Sequence, residues 1–197
     1  MDSRICFVGD SFVAGIGDDE CMGWTGRLAK QSIANGHNLS SYNLGIRRDT
    51  SSDILARWKD ECARRFNAGD RYFVMFAFGA NDMTIENGEL RVSEEQSIEN
   101  FGKIIKQASS DYQVLALSPC PVCDEAQDER ILALSERYEA LANKLNIPYI
   151  SVVQELLENP NWVREAKAGD GAHPNSGGYT YLAELINQNA KWFFAST

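Results

Sequence analysis

The chain has 197 residues, 44% of them apolar and 24% charged, the make-up of one ordinary globular domain and not of a disordered chain or a fibre. Its 19 Lys and Arg against 28 Asp and Glu leave a formal charge of −9, which lacks the basic footprint for gripping nucleic acid or anionic membranes. No apolar run approaches the roughly 20 residues of a membrane helix. From the N-terminus, Met1-Asp2-Ser3-Arg4 leads straight into the apolar run 5–8, which reads as a first strand and is too short for an export signal. A helix over about 24–34, stopped at Gly36, and a strand near 42–44 follow. Ile54, Trp58, Cys62 and Phe66 then recur every four residues behind Thr50-x-x-Asp53, a helix with a capping-box-like start. A near-continuous apolar run at 72–78 suits a parallel strand covered on both faces. Ser93-x-x-Gln96 opens a second helical stripe of Ile98, Phe101, Ile104, Ile105 and Ala108, followed by a strand at 114–117. Leu134, Tyr138, Leu141 and Leu145 make a third stripe, a strand at 147–152 comes next, and Leu182, Leu185, Ile186 and Phe193 make a fourth.

Strands alternating with helices from end to end, with no repeat or linker, predict one domain over 1–197 built as an open parallel sheet between helix layers. Ligands in such folds bind outside the carboxyl ends of the strands, so the chemistry is sought there. The cysteine count of 5 is odd, and together with the missing export signal it argues against a disulfide framework and for a cytoplasmic chain. Cys6 in the first strand and Cys62 on an apolar helix face behave as small hydrophobes. Cys120-Pro121-Val122-Cys123 offers two of the four ligands of a structural zinc site, and no histidine stands near it in sequence.

Strand one is followed by Gly9-Asp10-Ser11-Phe12. Its spacing fits neither a Walker loop nor a dinucleotide fingerprint, so Ser11 either caps the turn or presents a hydroxyl for chemistry. The chain has only 2 histidines. His37 follows Gly36 in a connection, whereas His173 lies in Asp170-Gly171-Ala172-His173-Pro174, just before the last helix. An aspartate three positions ahead in a Gly-containing turn either shapes that loop or folds back onto the imidazole, leaving the other ring nitrogen as a base. Asn43-Leu44-Gly45 closes strand two, and Gly79-Ala80-Asn81-Asp82 closes strand three. A glycine N–H and an asparagine amide are neutral donors suited to an oxygen that becomes negative only in the transition state.

With these four blocks in order from Gly9-Asp10-Ser11 to Asp170-x-x-His173, nearly the whole chain resembles the SGNH hydrolase family, the GDSL esterases and lipases. The resemblance implies a flavodoxin-like three-layer α/β/α sandwich with an about five-stranded parallel sheet. It implies Ser11 as nucleophile, His173 as general base and Asp170 as its orienting partner. For the oxyanion hole it implies the Ser11 N–H, the Gly45 N–H and the Asn81 side chain. The expected reaction is hydrolysis of a small carboxylic ester or thioester through an acyl-enzyme, with no metal or organic cofactor required. A carbohydrate O-acetylesterase on the same scaffold and a non-catalytic binding module are the alternatives. Two departures stand out: Phe12 replaces the leucine of the first block, and Ile46-Arg47-Arg48-Asp49 carries no second glycine. The two guanidinium groups either face solvent or pair with Asp49, or they face the cleft and favour an anionic substrate. Loops 12–23, 83–92, 119–127 and 159–169 are the expected walls, with Phe12, Met83 and Trp162 as possible pocket residues. No long apolar insertion suggests a lid, which favours a small substrate over a lipid surface.

Overall fold

In a computed structural model that describes residues 1–195, the chain lays down an interior strand of its sheet first. From β1 (Ser3–Gly9), the helices α1 (Ser11–Ala14) and α2 (Gly23–Ala34) lead to β2 (Leu39–Gly45), and α3 (Ser51–Arg65) returns to β3 (Arg71–Ala77). An antiparallel hairpin of β4 (Ile85–Glu86) and β5 (Glu89–Leu90) precedes α4 (Glu94–Ala108), β6 (Gln113–Leu117), α5 (Glu125–Lys144) and β7 (Tyr149–Ile150). Three helices follow: α6 (Val153–Glu158), α7 (Pro160–Ala168) and α8 (Ser176–Asn187). The main sheet is parallel throughout, in the order β2-β1-β3-β6-β7. This is the five-stranded, doubly wound α/β/α sandwich expected. α3, α4 and α5 pack side by side in one layer, and α2, α7 and α8 in the other. The chain changes its direction of travel across the sheet at β1, so the carboxyl end of β1 is the switch point at which such folds open a crevice.

Burial explains which elements were legible. β1 and β3 are almost wholly buried, and each reads as an apolar run. β2 is an edge strand with exposed Ser40, Ser41 and Asn43, so it extends beyond the apolar stretch 42–44. The strand expected over 147–152 shrinks to a two-residue ladder. Pro148 has no N–H to give, and the Val152 N–H turns to Ser118 Oγ at 3.0 Å.

Helix signals held where they are local. Thr50 and Asp53 close a full capping box on α3, whereas Gln96 leaves the box of α4 half made by donating to Asn100 Oδ1 at 2.9 Å. Asn159 caps α7 and Pro160 takes its first turn, where a missing N–H costs nothing, so the expected loop wall 159–169 is a helix. The fourth stripe ends early: α8 stops at Asn187, and Phe193 lies in the C-terminal turn against Phe73. No helix among the described residues is long and apolar enough to cross a membrane.

Candidate active site

Gly9 ends β1 where a Cβ would lie 2.0 Å from the Ala77 carbonyl oxygen, so only glycine lets β1 run this close to β3. Asp10 then caps α1, its carboxylate accepting the Phe12 N–H at 3.0 Å, and the turn presents Ser11, which is 4% exposed. His173 Nε2 stands 2.7 Å from Ser11 Oγ across 162 positions of sequence. His173 Nδ1 stands 2.8 Å from Asp170 Oδ2. The other carboxylate oxygen of Asp170 accepts the backbone N–H groups of Ala172 (3.1 Å) and His173 (2.9 Å), so the residue folds back over its own turn. Burial alone would raise the Asp170 carboxyl; the bonds from the His173 backbone and ring and from Ala172 outweigh it and hold the group at about 2.

The imidazole is seated from behind. The Phe12 ring lies 4.8 Å from it and stacks in turn on Trp162 at 5.9 Å. Gly17, at φ +92°, brings its backbone under His173, where a Cβ would meet the Pro174 carbonyl oxygen at 2.6 Å. Tyr179 donates to the Ile16 carbonyl at 2.7 Å, and Glu165 accepts the Asn175 and Gly178 N–H groups. The histidine loop is thereby tied to α7, α8 and the segment after α1.

Asn81 comes from the loop after β3, and its Nδ2 donates to the Asp49 carbonyl at 3.0 Å. Asp82 beside it is fully buried and accepts the Ser51 N–H at 2.8 Å and the Ser97 hydroxyl, anchoring this loop to α3 and α4. Gly45 answers to a different demand from the one expected of it. Its N–H is occupied by Asn43 Oδ1 at 2.9 Å, and a Cβ there would strike Ala14 N at 2.1 Å. Close packing against α1 explains this glycine. The unusual backbone lies three residues on, where Arg48 adopts φ +72°, a region that favours glycine. Its N–H has no acceptor among the described residues. Neither arginine pairs with Asp49, which is held by Arg57 Nε at 2.6 Å. Arg48 pairs with Glu86 of the hairpin, and Arg47 Nη2 lies 3.3 Å from Asp170 Oδ2. Neither the Arg48 backbone nor the contact of Arg47 with Asp170 was legible in the sequence; the missing second glycine at 46–49 was the one available signal.

A cleft of about 270 Å³ opens beside Ser11, walled by Phe12, Asn81, Thr84, Val122, Asp124, Gln127 and the 170–173 loop. Met83 (2% exposed) and Trp162 (0%), read as possible pocket residues, are instead buried behind these walls. Cys120 is buried and Cys123 half-buried; all five cysteines are free, and no third metal-ligating side chain joins that pair among the described residues.

A five-stranded doubly wound sheet with a serine at its switch point, facing an imidazole from the far end of the chain, is the architecture of the GDSL and SGNH ester hydrolases. A model of the GDSL-like lipase/acylhydrolase family matches residues 7–181, and the chain belongs to that family. It is a hydrolase acting on ester bonds. The chain is 25% identical to a lipase/acylhydrolase from Enterococcus faecalis, with a TM-score of 0.77 over 94% of this chain and 93% of that one. It shares the fold of the acetylxylan esterase Axe2 from Geobacillus stearothermophilus at 16% identity, with a TM-score of 0.78 over 98% and 96%. It is also 21% identical to the uncharacterized protein YpmR of Bacillus subtilis, over 95% of this chain and 81% of that protein.

Proposed function

We propose that the protein is a serine esterase that cleaves small carboxylic esters or thioesters through an acyl-enzyme on Ser11. Ser11 Oγ attacks the acyl carbonyl as His173 Nε2 takes its proton, and the protonated imidazole returns that proton to the departing alcohol or thiol. Water then attacks the acyl-enzyme with His173 again as base, releasing the acid and the free serine. Asp170 accepts from Nδ1–H, holding the tautomer and the imidazolium without taking the proton. The carbonyl oxygen, negative in the tetrahedral intermediate, is met by the Ser11 N–H, the Asn81 amide and, in place of Gly45, the Arg48 N–H. The observation that carries this reading is the unbroken hydrogen-bonded line from Ser11 through His173 to Asp170, at 2.7 and 2.8 Å.

The small volume of the cleft supports a short acyl group, and its polar wall of Thr84, Asp124 and Gln127 supports a hydroxylated leaving group such as an acetylated sugar as the second reading. The five free thiols suit a reducing compartment, and we place the enzyme in the cytoplasm. A fluorophosphonate probe with mass mapping tests the nucleophile: an adduct on Ser11 that vanishes in Ser11→Ala is expected. Folded protein that takes no label would overturn the reading. A panel of aryl acetates, longer acyl esters, acyl thioesters and acetylated sugars then ranks the leaving group and acyl length.

A further inference from the structure

Asp170 is held almost entirely by its own turn. Oδ1 accepts from the Ala172 and His173 backbones and Oδ2 from the His173 ring, all within four residues. Gly169 and Gly171 flank it, and its side chain is 40% exposed, so water competes for the carboxylate. Among the described residues the one bond from another element is that of Arg47, whose Nη2 shares Oδ2 with the imidazole. Arg47 sits on the turn between β2 and α3, and this turn is itself braced. The Asp49 N–H donates to the Ile46 carbonyl at 3.2 Å, Arg91 Nη2 donates to the Arg48 carbonyl at 2.9 Å, and Asn81 holds the Asp49 carbonyl. Arg47 therefore ties the histidine loop to the wall of the cleft that carries Asn81.

We propose that Arg47 is a positioning residue, its guanidinium fixing the Asp170 carboxylate so that His173 stays aligned on Ser11. This rests on the reading of Ser11 and His173 as the reacting pair. Because the ion pair is exposed, 57% at Arg47, its contribution is modest and screened by salt. The test uses a neutral aryl acetate, with kcat and KM measured for the wild type, Arg47→Met and Arg47→Lys. Arg47→Met is expected to lower kcat about two- to fivefold, the range of an exposed ion pair, with KM unchanged. Arg47→Lys restores most of the loss. Salt at about 0.5 M shrinks the Debye length to about 4 Å and narrows the gap between wild type and Arg47→Met. An unchanged kcat in Arg47→Met overturns the proposal. So does an effect confined to KM, which would put Arg47 on the substrate. Absence of fluorophosphonate labelling of Ser11 in the wild type instead overturns the underlying esterase reading, so the two failures are told apart.

Discussion

The Asn81 amide carries two N–H bonds, and one of them is occupied by the Asp49 carbonyl at 3.0 Å. That bond aims the side chain and leaves the second N–H for an oxyanion. Asn81→Ala is expected to lower kcat by about 10²–10³-fold, the range for removal of one oxyanion donor. Steady-state kinetics alongside thermal unfolding separate this from damage to the fold, and a normal kcat removes Asn81 from the hole. Asn81, Ser11 and His173 were legible as residues because each follows a strand end or sits in a short motif. The Arg48 N–H was not, since a left-handed backbone at a non-glycine residue is favoured by no local propensity. Gly45 misled for the converse reason. A glycine at a strand end signals a tight backbone, and sequence does not distinguish a ligand from a neighbouring helix as the thing approached.

At the scale of elements, two helix starts that look alike in sequence differ in strength. The Thr50 hydroxyl and the Asp53 carboxylate reciprocate on α3, with Asp53 Oδ2 accepting the Thr50 N–H at 2.9 Å. Thr50→Ala should cost about 1 kcal/mol in urea unfolding. On α4 the Gln96 side chain reaches forward to Asn100 and Glu99 instead of back to Ser93. Gln96→Ala should therefore stay within about 0.5 kcal/mol of wild type, as ordinary surface substitutions do. Equal losses in the two variants would remove this distinction. The long periodic helices were legible because their caps and stripes lie within one or two turns. The hairpin at 85–90 and the helix α7 were not, being too short for periodicity to rise above their turn signals, and β7 was legible as a strand but not in its shortness.

Over the whole molecule, the sheet order packs the carboxylates Asp10, Asp82 and Asp49 around the buried end of β1. Burial pushes the Asp10 carboxyl up to about 7; Asp82 and Asp49 add to the rise, and the Phe12 N–H bond opposes it. A carboxyl raised on folding favours the neutral form. Its stabilising contribution is full below the unfolded value near 3.8 and is lost as pH rises through about 7. Asp170 has the opposite sign: its contribution is present above the unfolded value near 3.8 and is lost as pH falls through about 2. Between pH ~5 and ~8 the wild type should thus lose stability relative to Asp10→Asn, by up to about 1.4 kcal/mol per pH unit below the folded value. Asparagine keeps an oxygen for the Phe12 N–H. Urea unfolding of both proteins across that range checks this, and parallel curves would remove Asp10 as the source.

Sequence alone determined the alternation of strand and helix, the caps of α3 and α4 and the order of the four blocks, because each depends on residues within a few positions of one another. The tertiary structure decided that Ser11 and His173 meet, that the Gly45 N–H is occupied while that of Arg48 is open among the described residues, and that Arg47 reaches Asp170 across 123 positions. It also decided that Met83 and Trp162 are buried behind the cleft. Which donor is free, and which side chain faces a cavity, follows from how separate elements close on one another at the switch point, and no local pattern encodes that closure.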